Sequence, residues 1–173
     1  MGKVQILFYL LLLSNFSFGQ GWPTVMRITD SAEYRAMEPM VDSCISYLHH
    51  TMPQDDFNGR IEAVEFLDKW ISGVPYIVVV QREYLLDATD RNLELTTQHI
   101  AGKLAFLRSN PGYPVNSFES ELQGVLWMLE LYETGMFDSS DEMNQLIERR
   151  NRGTLETWLR NELPKDWITH TEE

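Results

Sequence analysis

The apolar residues of this chain recur at helical spacing along most of its length. The clearest stripe lies within residues 58–73 and consists of Ala63, Val64, Leu67, Trp70 and Ile71. These positions are i, i+1, i+4, i+7 and i+8, which share one face of a helix. Asn58 is predicted to cap the start of this helix, because its side-chain oxygen can accept a free N–H of the first turn. Gly73, in a left-handed conformation, and Pro75 are predicted to end it.

The same spacing predicts further helices before and after this stretch. Their predicted first residues are Pro39, Asp90 or Asn92, Asn116 with Glu119, Ser139 with Glu142, and Leu155. The helix that begins near Asn116 is apolar on two sides, since Leu122 and Leu129 lie on one side and Trp127 lies on the other. This helix is therefore predicted to lie in the middle of the domain.

Residues 76–81 are the exception to the helical pattern. They read Tyr-Ile-Val-Val-Val-Gln, a continuous β-branched run that is typical of a buried strand. The sequence offers no second strand, and a single strand would leave its backbone groups unpaired. The run is therefore predicted to be an extended segment or the start of a helix that continues through Leu86.

These elements predict an all-α domain of stacked antiparallel helix pairs, about six or seven helices that look repeat-like but have no sequence repeat. The helical domain is predicted to span residues 32–164, between an N-terminal arm at 20–31 and a tail at 165–173. Its predicted structural anchors are Trp70, Gly73, Pro75, Trp127 and Trp158.

Residues 1–19 have the pattern of a secretory signal peptide. Lys3 is the charged start, Val4 to Leu13 form an apolar core, and Ser17 and Gly19 precede a cleavage point. The alternative is a membrane anchor, but about ten apolar residues fall short of the roughly 20 that cross a bilayer. The mature chain is therefore predicted to be soluble and exported, in the periplasm or the exterior, with no membrane attachment after cleavage.

Acidic residues dominate the composition. There are 26 Asp and Glu against 14 Lys and Arg, a net charge of −12, and loss of Lys3 with the signal peptide makes the mature chain more negative by one. This excess argues against nucleic acids and anionic membranes as partners. It favours a cationic partner or serves only solubility.

The reactive side chains form no recognisable motif. Cys44 lies on an apolar stripe, which favours a core position over a nucleophile, and one cysteine cannot form a disulfide within the chain. The four histidines, His49, His50, His99 and His170, lack the spacing of a zinc site, and His99 is predicted to lie on the flank of its helix. No catalytic, metal-binding or cofactor-binding residue is predicted.

Residues 60–75 contain Arg60, Ala-Val-Glu-Phe-Leu at 63–67, and Lys-Trp-Ile-Ser-Gly at 69–73 followed by Pro75. Through this motif the chain, over about residues 32–163, resembles a group of small exported helical proteins from Bacteroidetes. Leu-Glu-Leu-Tyr-Glu at 129–133 and the segment 152–159 agree with it. The resemblance implies export and a helical fold, and its motif implies no active site.

The sequence alone therefore does not reveal what the protein does, and it leaves three functions open. The first is a non-enzymatic module that binds another exported protein. The second is a hydrolase whose acids meet only in the fold, with Glu119, Glu121, Glu130 and Glu133 on the central helix as candidates. The third is a binder of a small apolar ligand, which would need an enclosed pocket of at least about 300 Å³. The oligomeric state is left open.

Overall fold

The computed structural model of the chain describes residues 21–23 and 30–168, and this part of the chain is 69% helical with no strand. The predicted all-α class is thereby confirmed. The described residues contain nine helices, which are α1 (Ser31–Ala36), α2 (Glu38–His50), α3 (Phe57–Gly73), α4 (Glu83–Thr89), α5 (Leu93–Ser109), α6 (Phe118–Tyr132), α7 (Asp141–Asn151), α8 (Leu155–Glu162) and α9 (Lys165–Ile168). The number exceeds the prediction because α1, α4 and α9 are short and carry too little periodicity to be recognised.

The start of α3 lies two residues earlier than its predicted cap. The Asp56 side chain, rather than that of Asn58, accepts the N–H of Gly59 at 2.9 Å. Gly73 does end the helix, but without a left-handed conformation, since the chain leaves through the extended residue Val74. Gly73 is needed for a different reason: a Cβ at this position would collide with the hydroxyl group of Tyr34.

The N-terminal caps of the later helices were predicted with mixed success. Asn92 caps α5 as predicted, by accepting the N–H groups of the first turn. Ser117, rather than Asn116, caps α6 and forms a capping box with Ser120. Ser140, rather than its neighbour, caps α7. Each error is a shift of one position among adjacent residues that are all good caps.

Helices α5 and α6 form an antiparallel hairpin between two apolar cores. The first core joins α2, α3 and α5, and Trp127 of α6 packs on its edge. The second core joins α4, α6, α7 and α8 and contains Val125, Met128 and Leu129. The two apolar sides predicted for the central helix therefore face different cores, as expected.

Two glycines let the hairpin helices approach closely. A Cβ on Gly102 would lie 2.9 Å from the Cα of Gly124, and a Cβ on Gly124 would lie 2.7 Å from the carbonyl oxygen of His99. Both distances are shorter than a van der Waals contact and involve backbone atoms, which cannot swing away.

Gly124→Ala is expected to destabilise the protein by about 1–3 kcal/mol, because overpacking outweighs the roughly 1 kcal/mol that alanine gains over glycine in a helix. Urea unfolding followed by circular dichroism measures this change. Glu130→Ala, an exposed position on the same helix, serves as the control and should change stability by no more than about 0.5 kcal/mol. A Gly124→Ala variant as stable as the wild type would contradict the close approach.

The N-terminal segment contributes one core residue in the described part. Trp22 is buried and its ring lies 5.6 Å from the rings of both Tyr47 and Phe66. The predicted signal peptide and most of the predicted arm lie outside the described residues. Among the helices that are described, none combines the length and the apolar character needed to cross a bilayer.

Candidate functional site

A cluster of ionisable side chains is enclosed between α5 and α6. His99 and Lys103 of α5 and Glu121 of α6 are all fully buried. The prediction that His99 lies on a helix flank is therefore wrong. Helix α5 packs against α2 and α3 on one side and against α6 on the other, so residues 95–104 are buried all round the helix.

Glu121 lies at the centre of this buried cluster. Lys103 Nζ donates to Oε2 of Glu121 at 2.5 Å, and the Tyr84 hydroxyl of α4 donates to Oε1 at 2.6 Å. His99 Nε2 lies 3.2 Å from Oε1, within ion-pair distance but without the alignment of a hydrogen bond. Both carboxylate oxygens are thus engaged, and three helices meet at one side chain.

Lys103 reaches two further groups. Its Nζ lies 3.4 Å from Oδ1 of Asn116 and 4.9 Å from the centre of the Trp167 ring. Trp167 belongs to the single turn of α9 and is itself buried. The C-terminal turn therefore closes over the lysine, and the contact with the ring is a cation–π interaction.

The surroundings shift the pKa values of the cluster in opposite directions. Burial alone would raise the pKa of Glu121, but the neighbouring His99 and the charge and hydrogen bond of Lys103 outweigh it and hold this pKa far below its ordinary value. Burial, with the adjacent Glu121 carboxylate, raises the pKa of Tyr84 well above its ordinary value. Near neutral pH, Glu121 is therefore ionised, and Tyr84 keeps its proton and donates a hydrogen bond.

These properties suit a structural role, in which the cluster links neighbouring helices. A carboxylic acid that serves as a general acid near neutral pH needs a raised pKa, and Glu121 has the opposite. Of the four side chains, only Tyr84 lines one of the clefts found along the described residues. The arrangement connects α4, α5, α6 and α9 and encloses His99, Lys103 and Glu121 away from solvent, while Tyr84 is half-buried beside a cleft.

The other three glutamates of α6 lie outside this cluster. Glu119 is half-buried and Glu130 is exposed. Glu133 is exposed too and forms a two-pronged ion pair with Arg150 of α7 at 2.6 and 2.7 Å. Of the four candidates, Glu130 and Glu133 are thus exposed to solvent, and Glu121 is the one that is fully buried.

A second buried charge, Arg60 of α3, fastens α3 to its neighbours. Its Nε donates to Glu94 at 2.7 Å, Nη2 donates to Gln98 at 3.3 Å, and Nη1 donates to the carbonyl groups of Leu48 and Thr51. Those carbonyls belong to the last turn of α2, where a helix lacks internal donors. Every nitrogen of the guanidinium group is used, so this side chain is structural as well.

Cys44 lies in the core and His49 at its edge, whereas His50 is exposed and His170 lies outside the described residues. Cys44 is buried, donates to the carbonyl oxygen of Ala63 at 3.3 Å, and has its pKa raised to about 12 by burial. His49 stacks on Trp127 with ring centres 3.9 Å apart. Among the described residues no group of three or more His, Cys, Asp and Glu side chains is arranged to hold a metal ion.

The predicted anchors differ in how deeply they are placed. Trp70 is fully buried, Trp127 and Trp158 are half-buried, and Gly73 and Pro75 are exposed at the end of α3. Trp158 meets Tyr84 edge-on, with ring centres 5.2 Å apart.

The segment 76–82 between α3 and α4 has no regular secondary structure, and the backbone is extended at Val74 before it and at Arg82, its last residue. It contains two of the large apolar side chains that are exposed in the described part of the chain, Val78 at 69% and Val80 at 40%. A cleft of about 390 Å³ lies between the segment and α3. This segment is the candidate interaction surface.

Comparison with known proteins leaves the family open, because no family model, curated protein or solved structure matches the chain.

Proposed function

We propose that the mature chain is an exported, non-enzymatic helical protein that binds another protein in the periplasm or the exterior. The observation that supports this most is the exposed apolar segment 76–82. Residues 74–81 carry no charge on a chain with 26 acidic residues, so this surface differs sharply from its surroundings. An exposed apolar surface of this kind, rimmed by polar residues, is typical of a site of protein association.

The other two functions have less support. The buried cluster holds its only enclosed glutamate as a paired anion, which does not suit hydrolysis by a carboxylic acid. A cleft of about 340 Å³ beside Tyr132 and Phe137 is large enough for a ligand, but it is open and is also lined by Asp90 and Asp138. That lining does not suit an apolar molecule.

The double variant Val78→Lys/Val80→Lys is expected to lose its partner. Immobilised mature protein is incubated with envelope extract and culture medium of the source organism, and bound proteins are identified and quantified by mass spectrometry. Wild type should retain one protein in stoichiometric amount, and the double variant should retain at least about tenfold less of it. The reason is that two charges in the apolar contact would have to be desolvated.

A matched variant controls for added charge. Phe57→Lys/Met136→Lys introduces the same two lysines at apolar side chains that are 56% and 54% exposed elsewhere on the surface. This control should bind the partner as wild type does. Equal capture by all three proteins, or no stoichiometric partner at any salt concentration, would contradict the proposal.

A further inference from the structure

The segment 76–81 has the side-chain alternation of a β-strand, although it has no strand partner. Ile77 and Val79 pack against the first core, while Val78 and Val80 point outward. This two-residue period is the one a strand shows when one of its faces is buried. The β-branched run singled out in the sequence thus keeps strand character within a helical protein.

One edge of the segment is already paired by a side chain. The amide group of Asn116 donates to the carbonyl oxygen of Val78 at 2.8 Å, and its Oδ1 accepts the N–H of Val80 at 3.1 Å. In a parallel sheet, one residue forms hydrogen bonds with the two residues that flank its neighbour on the adjacent strand. The Asn116 side chain bonds to Val78 and Val80 in the same way, so it takes the place of an adjacent strand opposite Val79.

The opposite edge is unpaired within the described part of the chain. In an extended chain the backbone groups of alternate residues point to opposite sides, so those of Ile77, Val79 and Gln81 point away from Asn116. These groups have no hydrogen-bond partner among the described residues. The 390 Å³ cleft is lined by these three residues and also by Val78, and its lining includes Asp68 and Ile71 of α3, whereas Asn116 is not part of it.

The charge of the cleft indicates which kind of segment fits there. Asp68 is half-buried in the cleft wall and has no ion pair or side-chain hydrogen bond within the described part of the chain. A lysine or arginine on the incoming segment would neutralise it. A second copy of the chain would bring another net charge of −12.

We infer that the unpaired edge of residues 77–81 accepts an extended, cationic segment of the partner protein as an added β-strand. This inference rests on the proposed function and specifies its chemistry. Backbone hydrogen bonds to Ile77, Val79 and Gln81 provide the affinity, β-branched side chains fill the cleft, and a basic side chain meets Asp68.

The test uses a synthetic peptide as the probe, acetyl-Lys-Val-Lys-Val-Lys-Val-Thr-amide, with the mature protein. Amide hydrogen exchange measured by NMR should slow at least about tenfold at Ile77, Val79 and Gln81 when peptide is bound, while Val80, already bonded to Asn116, changes less. The same peptide with glutamate in place of lysine should bind at least about tenfold more weakly. Asp68→Asn should reduce this preference for lysine.

Several results would overturn the inference. They are no binding of the lysine peptide at about 1 mM, binding without slowed exchange at the three amides, or equal binding of the glutamate peptide. Slowed exchange at these amides without peptide, together with a dimer in analytical sedimentation, would also overturn it, because a second copy of the chain would then occupy the edge.

The outcomes also separate this inference from the proposed function. A partner that is lost with Val78→Lys/Val80→Lys but does not slow the three amides would leave the proposed function standing and overturn the strand addition. Slowed exchange with the peptide, but no partner in the extracts, would support the edge and contradict the proposed function.

Discussion

Replacing Lys103 by methionine is expected to lower the free energy of unfolding by about 3–5 kcal/mol. Methionine fills a similar volume but removes the 2.5 Å hydrogen bond to Glu121. The carboxylate then stays fully buried with only Tyr84 and His99 beside it. Its charge would be left largely uncompensated in a low-dielectric site, which is the costliest way to break a buried pair.

Urea unfolding of four proteins tests this expectation, namely the wild type, Lys103→Met, Glu121→Met and the double variant. The double variant should lose less stability than the sum of the single losses, because removing both charges also removes the need to pair them. Arg152→Met is the control, since its ion pair with Glu148 is exposed and should be worth no more than about 1 kcal/mol. If Lys103→Met lowered the free energy of unfolding by as little as Arg152→Met does, the cluster would not stabilise the fold.

The buried cluster could not be predicted from sequence because helical periodicity identifies one apolar face and treats the opposite face as exposed. Helical spacing places Ile100 and Leu104 on one apolar stripe of α5, with His99 beside it on the flank. In the structure that flank packs on α6, where Lys103 and Glu121 form a hydrogen-bonded ion pair. One signal was present: Gly102 and Gly124 mark the close approach of two helices, but their pairing depends on the tertiary fold.

The helices themselves were predictable because their signals are local. The apolar stripes of α2, α3 and α6 and the cap at Asn92 correspond to helices in the structure. The segment 76–81 was not predictable in the same way, since strand character needs a partner to become a strand. The amide of Asn116 provides half of that partner from 36 residues further along the chain, and no local pattern reveals it.

Trp70→Ala is expected to destabilise the protein by about 3–5 kcal/mol. Trp70 is among the largest fully buried side chains in the described residues and packs in the first core. Its Nε1–H also donates to the carbonyl oxygen of Tyr34 at 3.4 Å, which ties α1 to α3. Truncation leaves a cavity that the rigid helices around it cannot close, and it removes one of two donors to that carbonyl, which also accepts the N–H of Met37.

Trp158→Ala is the matched comparison, because the sequence alone gives both tryptophans the same weight as anchors. Trp158 is only half-buried and packs edge-on against Tyr84, so its truncation opens a surface notch that water can fill. Thermal and urea unfolding of both variants should therefore rank Trp70→Ala as clearly the more damaging. The cost of a cavity depends on how deeply the truncated side chain was buried. Equal losses of stability for the two variants, or a loss below about 1 kcal/mol for Trp70→Ala, would therefore show that the first core does not depend on the Trp70 ring.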